Sequence, residues 1–237
     1  MLFDVKRSTY STVLFDLDHT LLDSDASELL AFDHAMQLSG VEEPGQHLEL
    51  YLNINRALWA AVERQELTPN NVRTARFEQL VVAASLDADP AALADAFAAG
   101  LGSFGELYSG ARAMLDTLAG TATLALVTNG LSEVQRARIE RLGLANYFDV
   151  VVISAEVGAS KPSPAIFDVT FALLGSPPKP SVLMVGDSLT SDIRGGINYG
   201  IATCWYNPRG QIAHESDHID HEVDALHQIP AVVIGQG

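Results

Sequence analysis

The sequence predicts an α/β fold: a Rossmann-like parallel sheet core with helices on both faces and an inserted all-helical, four-helix cap domain. Two observations carry this expectation. Apolar, β-branched runs recur at Thr12–Leu17, Ala122–Thr128, Val150–Ser154, Val182–Gly186 and Ala202–Trp205, with helical patterns between the later ones. Strands buried on both faces read as continuous apolar runs, and their alternation with helices signals an open parallel sheet. Residues 24–105, by contrast, contain no strand pattern and repeat their apolar residues at helical spacing.

Taken in order, the first run is followed at once by the helical insertion. Leu29, Phe32 and Met36 share one predicted face, as do Tyr51, Ile54, Leu58 and Val62, then Phe77, Leu80, Val81 and Ala84, then Leu93, Ala96, Phe97 and Leu101. Breaks fall at Gly40–Gly45, Thr68–Asn70 and Asp87–Pro90, where Asp89 before Pro90 is a helix-start signal. An insertion at this point sits over the carboxyl ends of the strands and can serve as a lid. The remaining helices are expected at Gly110–Ala119, Glu133–Arg141, Pro164–Leu174 and Ser191–Tyr199, with an edge strand near Glu222 and Val223 and a helical turn over Ala225–Ile229. The expected division is residues 1–23 and 106–237 as core and 24–105 as cap.

Composition narrows the function classes. With 30 acids against 14 bases, the net charge of −16 repels a polyanion, so nucleic acid polymers are excluded as partners while a small anion can still bind where cations converge. No apolar stretch reaches bilayer length, and the run after Asp4, Lys6 and Arg7 is short and interrupted by Asp16, so neither membrane insertion nor secretion is expected. The single cysteine, Cys204, forms no intrachain disulfide and suits a reducing, cytoplasmic location.

The chemistry concentrates at strand ends. Asp16 and Asp18 stand one residue apart where VLFDLDHTLL leaves the first strand, and period-two alternation would project both the same way. Two like charges there are tolerable beside a cation, which predicts a divalent metal. Thr128-Asn129-Gly130 follows the second run, Lys161 the third and Gly186-Asp187-Ser188 the fourth. Each alone could be a turn, a surface cation or a helix cap, but ordinary turns give no reason for all four ends to carry such groups. His19, between the acid and Thr20, reads as structural.

With DLDHT at Asp16–Thr20, TNG at Thr128, KP at Lys161 and GDSLTSD at Gly186–Asp192, the chain resembles the haloacid dehalogenase-like superfamily in motif, order and placement. The resemblance implies Asp16 as nucleophile, forming an aspartyl phosphate that water hydrolyses, and Asp18 as general acid and base. It implies Mg²⁺, with Mn²⁺ as a possible substitute, held by Asp16, the Asp18 carbonyl and Asp187, while Asp192 orders the metal's waters or holds Lys161. Thr128 and the N–H groups after it, with Asn129, would bind phosphoryl oxygens, and Lys161 would screen the anion from Asp16. An acid at Asp18 favours phosphate ester cleavage over carbon–halogen cleavage, since a halide leaves without a proton; a mutase, a dehalogenase and a non-catalytic binding protein stand as alternatives.

Segments Val134–Pro162 and Val182–Asn207 further resemble the bacterial pyrimidine 5′-nucleotidase, or house-cleaning nucleotidase, subgroup, with looser likeness at Leu58-Trp59 and Arg76-Phe77-Glu78. This implies a nucleoside monophosphate as substrate, with sugar phosphates or phosphoglycolate as the alternative. Trp59 is a candidate to stack on a base and Arg76 to meet phosphate or ribose, each with a packing or solvated-cation reading beside it.

Overall fold

The computed structural model describes residues 9–213 and 218–235. The leader reading around Asp4, Lys6 and Arg7 therefore lies outside the described residues. Six strands form one parallel sheet in the order β3-β2-β1-β4-β5-β6: β1 (Thr12–Phe15), β2 (Thr123–Thr128), β3 (Val150–Ile153), β4 (Val182–Gly186), β5 (Ala202–Tyr206) and β6 (His221–Val223). Alternation splits the core across the two faces: Val13, Phe15, Leu124, Leu126, Leu183 and Val185 on one side, Leu14, Ala125, Val127, Val152 and Met184 on the other. The first face is covered by α5 (Ala111–Leu118), α6 (Ser132–Arg141) and α10 (Ile229–Ile234), through residues such as Met114, Leu115, Ile139 and Val233. The second is covered by α8 (Pro164–Leu173), through Ile166, Phe167 and Phe171.

β1 stops two residues short of the expected Leu17. The Asp16 N–H makes the last ladder bond, to the Val185 carbonyl at 3.0 Å, and the Leu17 carbonyl then accepts the Leu21 and Leu22 N–H groups, each at 2.9 Å, which turns the chain. The segment expected to be helical over Ser191–Tyr199 opens as a π turn at Leu189–Ile193 and continues as α9 (Arg194–Tyr199); α7 is a single turn at Ser154–Val157.

The insertion after β1 holds α1 (Ser24–Leu38), α2 (Leu48–Glu63), α3 (Pro69–Ala84) and α4 (Pro90–Ser103). Its breaks are built as the sequence suggests. Asp23, Thr68 and Asp89 cap the three helices that follow them, Thr68 in a reciprocal pair with Asn71. Phe32, Tyr51, Phe77 and Phe97 form the aromatic centre of this unit. Leu29 departs from the expected buried face and is 44% exposed. The face of α1 turned to α4 is the small-residue one: a Cβ on Gly100 would lie 3.0 Å from Ala31, so the helices approach too closely for Leu29 to share that face. Among the described residues, no helix is long and apolar enough to cross a membrane.

Candidate active site

Above the carboxyl ends of β1, β2 and β4 lies a cavity of about 750 Å³, lined on the core side by Asp16, Asp18, Asn129, Asp187 and Asp192 and on the cap side by Glu28, Asn55, Trp59 and Arg76. This is the crevice in which open α/β sheets bind ligands, roofed here by the insertion. The structure thus brings strand-end and cap residues onto a single space.

Asp16 is nearly buried, and its Oδ1 accepts from Lys161 Nζ at 2.5 Å. Lys161, only 1% exposed, also donates to the Val127 carbonyl at 2.6 Å and pairs with Asp192 Oδ1 at 2.7 Å. Burial alone would lower the Lys161 ammonium, but Asp16 and Asp192 outweigh it and hold the group above its ordinary value. Asp192 is fixed in turn by the Ser188 N–H to its Oδ2, at 3.1 Å. Gly186 makes room for this, because any Cβ there would overlap the Asp192 carboxylate.

Asp187 is set by its neighbours at both ends of the residue. Its N–H donates to Thr20 Oγ1 at 3.1 Å and its carbonyl accepts from Trp205 Nε1 at 2.8 Å, while the Thr20 hydroxyl lies 3.2 Å from Asp16 Oδ2. Asp16, Asp187 and Asp192 offer carboxylate oxygens that all lie within 4.8 Å of one another. Burial, followed by repulsion from the other acids, pushes the Asp187 carboxyl up; burial does the same to Asp16, where Lys161 opposes it and Asp192 and Asp18 reinforce it. Three carboxylates against one ammonium leave an excess of negative charge that a hard divalent cation with oxygen ligands satisfies, so the donor set fits Mg²⁺.

Asp18 lines the same cavity but is engaged by other partners. Its Oδ1 accepts from Arg138 at 2.5 Å and Ser24 Oγ at 2.5 Å, and its Oδ2 from Gln135 Nε2 at 2.6 Å. Alternation does not govern its direction, because the strand has already ended at Phe15. Burial would raise the Asp18 carboxyl, but Arg138 and the Ser24 and Gln135 hydrogen bonds outweigh it and keep it below the ordinary aspartate range. Arg138, on α6 with a side chain 5% exposed, also donates to the Leu101 carbonyl at 2.8 Å and Ser27 Oγ at 3.0 Å. A guanidinium thus ties both sides of the site together.

Thr128 is fully buried, and its hydroxyl accepts from Gln135 at 2.7 Å. The Asn129 side chain clasps the Lys161 backbone, donating to its carbonyl and accepting its N–H, each at 2.9 Å. The Gly130 N–H donates to Ser154 Oγ at 2.9 Å. Trp59 is half-buried, packed beside Leu58, Val62 and Val72 while lining the cavity. Arg76, 2% exposed, donates to Asn55 Oδ1 at 3.1 Å and the Val72 carbonyl at 3.2 Å, with its guanidinium carbon 5.0 Å from the Phe97 centroid. His19 adopts a left-handed φ of 62° and lies 3.6 Å from Asp25. Gln135 and Arg138 were missed by sequence reasoning; their i, i+3 spacing places them on one face of α6, but nothing separates Arg138 from Arg136 or Arg141 before the fold is known.

The haloacid dehalogenase-like hydrolase family matches residues 13–206, which spans every strand end described above except that of β6. The chain belongs to the haloacid dehalogenase-like hydrolases. Within that family it is 34% identical to the pyrimidine 5′-nucleotidase YjjG of Escherichia coli over 220 residues, covering 92% of this chain and 95% of that one. It is 35% identical to the pyrimidine 5′-nucleotidase PynA of Streptococcus pneumoniae over 215 residues, covering 90% and 91%. The crystal structure of the HAD-hydrolase YfnB from Bacillus subtilis, bound to magnesium, superposes with a TM-score of 0.86 at 31% identity, covering 94% of this chain and 98% of that one.

Proposed function

We propose that this haloacid dehalogenase-like hydrolase is a Mg²⁺-dependent phosphatase for pyrimidine nucleoside 5′-monophosphates, acting through an aspartyl phosphate on Asp16. One observation carries the reading: a buried carboxylate, Asp16, sits beside an ammonium and two further acids on the floor of a cavity whose wall holds a second acid, Asp18. The pyrimidine assignment is supported by the names of YjjG and PynA, which match over nearly the whole chain.

An Asp16 oxygen attacks phosphorus as the bond to the ester oxygen breaks, and Lys161 offsets the repulsion between nucleophile and incoming phosphate. Asp18 gives its proton to the leaving alkoxide, then takes one from the water that attacks phosphorus and frees Asp16. As held by Arg138 and Gln135, Asp18 is ionised, the form needed for the second step; release from that hold precedes the first. Thr128 and the Asn129 N–H are read as the contacts to the phosphoryl oxygens, while the Asn129 side chain positions Lys161. Asp16 and Asp187, with the Asp18 carbonyl, would hold Mg²⁺, and Asp192 would steady Lys161 and the ion's waters. Bound there, Mg²⁺ neutralises charge developing on the phosphoryl group, and Mn²⁺ is the expected substitute.

The cap is read as residues 24–105, a lid that excludes water during attack, with 1–23 and 106–237 as core. Trp59 is read as a stacking surface for the base and Arg76, which lines the same cavity, as the cation that meets phosphate or ribose. The reading includes a cytoplasmic location, supported by the lone thiol of Cys204. The test is a panel of phosphorylated metabolites scored by kcat/KM with Mg²⁺ and with a chelator. Nucleoside monophosphates leading the panel, with loss on chelation, is the expected result; sugar phosphates or phosphoglycolate ahead of every nucleotide would overturn the substrate.

A further inference from the structure

One wall of the cavity, in the cap, carries a polar network away from the strand-end acids. Glu28, on α1, accepts from Tyr51 Oη at 2.8 Å and from Asn55 Nδ2 at 2.5 Å, both on α2, and both bonds go to Oε1. Asn55 Oδ1 is taken by Arg76 of α3, whose guanidinium lies over Phe97 of α4. All four cap helices therefore meet around one carboxylate. Glu28 lines the cavity, and among the described residues no group donates to its Oε2.

An ionised carboxylate is an acceptor only, and one this sheltered costs free energy unless each oxygen is matched by a donor. The fixed Oε1 and the open Oε2 make Glu28 half-satisfied by the protein. Trp59, Leu52, Leu101, Leu131 and Val134 line the same cavity with flat and apolar surface. A ligand suited to these walls has an apolar planar body with an N–H on its edge.

Resting on the nucleotidase reading above, we propose that Glu28 is the base-reading residue, its free Oε2 accepting the ring N3–H of a uracil or thymine base. Cytosine offers a bare acceptor at that ring position and meets the carboxylate with repulsion. Tyr51 and Asn55 fix which oxygen faces the cavity, so they act through Glu28 as positioning residues. Burial, the largest influence, raises the Glu28 carboxyl, and Tyr51 and Arg76 oppose it.

Two experiments test this. In the wild-type enzyme, 3-methyluridine 5′-monophosphate, which lacks the ring N–H, is expected to show kcat/KM lower than uridine 5′-monophosphate by roughly ten- to a hundredfold, the cost of a charged hydrogen bond left unmade. 3′-Deoxyuridine 5′-monophosphate is the control arm for a donor on the sugar. In Glu28→Gln, the Tyr51 and Asn55 donors hold the amide oxygen at the Oε1 position and turn the NH₂ toward the cavity. The uridine-to-cytidine ratio of kcat/KM is then expected to fall at least tenfold below wild type, toward cytidine. Because this is a ratio within one preparation, partial misfolding cancels. Nucleotide hydrolysis indifferent to N3-methylation, a loss confined to the 3′-deoxy substrate, or an unchanged ratio in Glu28→Gln would each overturn the assignment while leaving the nucleotidase reading in place. Failure to hydrolyse any nucleotide would overturn both.

Discussion

Replacing Arg138 with Met keeps most of the side-chain volume and removes the charge that binds Asp18. In the structure this leaves Asp18 Oδ1 without its cation and strips donors from the Leu101 carbonyl and Ser27 Oγ. Breaking a buried ion pair from one side costs about 3–5 kcal/mol, and the 25% exposure of the Asp18 side chain places this case near about 3 kcal/mol. For a chain of this size that is a Tm lower by roughly 6–12 °C in a thermal scan. The sign of the pH dependence follows from a folded Asp18 carboxyl held below its unfolded value. The pair's contribution is complete above the ordinary aspartate value of 3.8 and is lost as pH falls through the lower folded value, so the deficit of the variant is full at neutral pH and closes in strong acid. Adding Asp18→Asn to Arg138→Met removes the orphaned charge and is expected to recover about 1 kcal/mol or more. A Tm within about 2 °C of wild type for Arg138→Met would refute the reasoning.

Other outcomes follow from the same site. The folded Asp187 carboxyl is raised from 3.8 to about 8, so between those values the folded protein binds more protons than the unfolded one. Metal-free protein is therefore expected to lose thermal stability as pH rises from about 4 to about 8, and saturating Mg²⁺ to flatten that slope and add about 2.7 kcal/mol at a hundredfold excess over Kd; a slope unaffected by Mg²⁺ would place the ion elsewhere. Gly186→Ala drives a methyl into the Asp192 carboxylate, with an expected cost of about 1–3 kcal/mol and at least a tenfold fall in kcat as Lys161 loses its second acid. Wild-type kcat in that variant would show that Asp192 does not position Lys161. Trp59→Ala is expected to raise KM for nucleotides roughly tenfold and to spare a small aryl phosphate. Equal effects on both would mean that Trp59 serves only its packing against Leu58, Val62 and Val72.

The core strands were legible because burial on both faces leaves a continuous apolar signature, as at Val182–Gly186. The strand-end chemistry was legible because Asp16 and Asp187 each end such a signature with charge, and because Lys161 follows the third one within a short segment. What could not be read is what depends on tertiary approach. Leu29 looks as buried as Phe32 until the closeness of α1 and α4 selects the small-residue face. Asp192 was tied to the metal's waters or to Lys161 only by the family resemblance, and the choice of Lys161 rests on Gly186 making room for the carboxylate beside it. Arg138 is one arginine among several on α6 until the fold sets it against Asp18, and Asn129, expected at the phosphoryl oxygens, has its side chain on the Lys161 backbone. The Glu28 network is less legible still, since its members come from four helices separated by loops of unremarkable sequence.

The most direct test of the account is a crystal structure of the enzyme grown with Mg²⁺ and a beryllium fluoride phosphate mimic. Density for the mimic joined to a carboxylate oxygen of Asp16, with Mg²⁺ held by Asp16 and Asp187, is the expected result. A mimic attached to any other side chain, or an ion bound away from these two acids at saturating Mg²⁺, would contradict it.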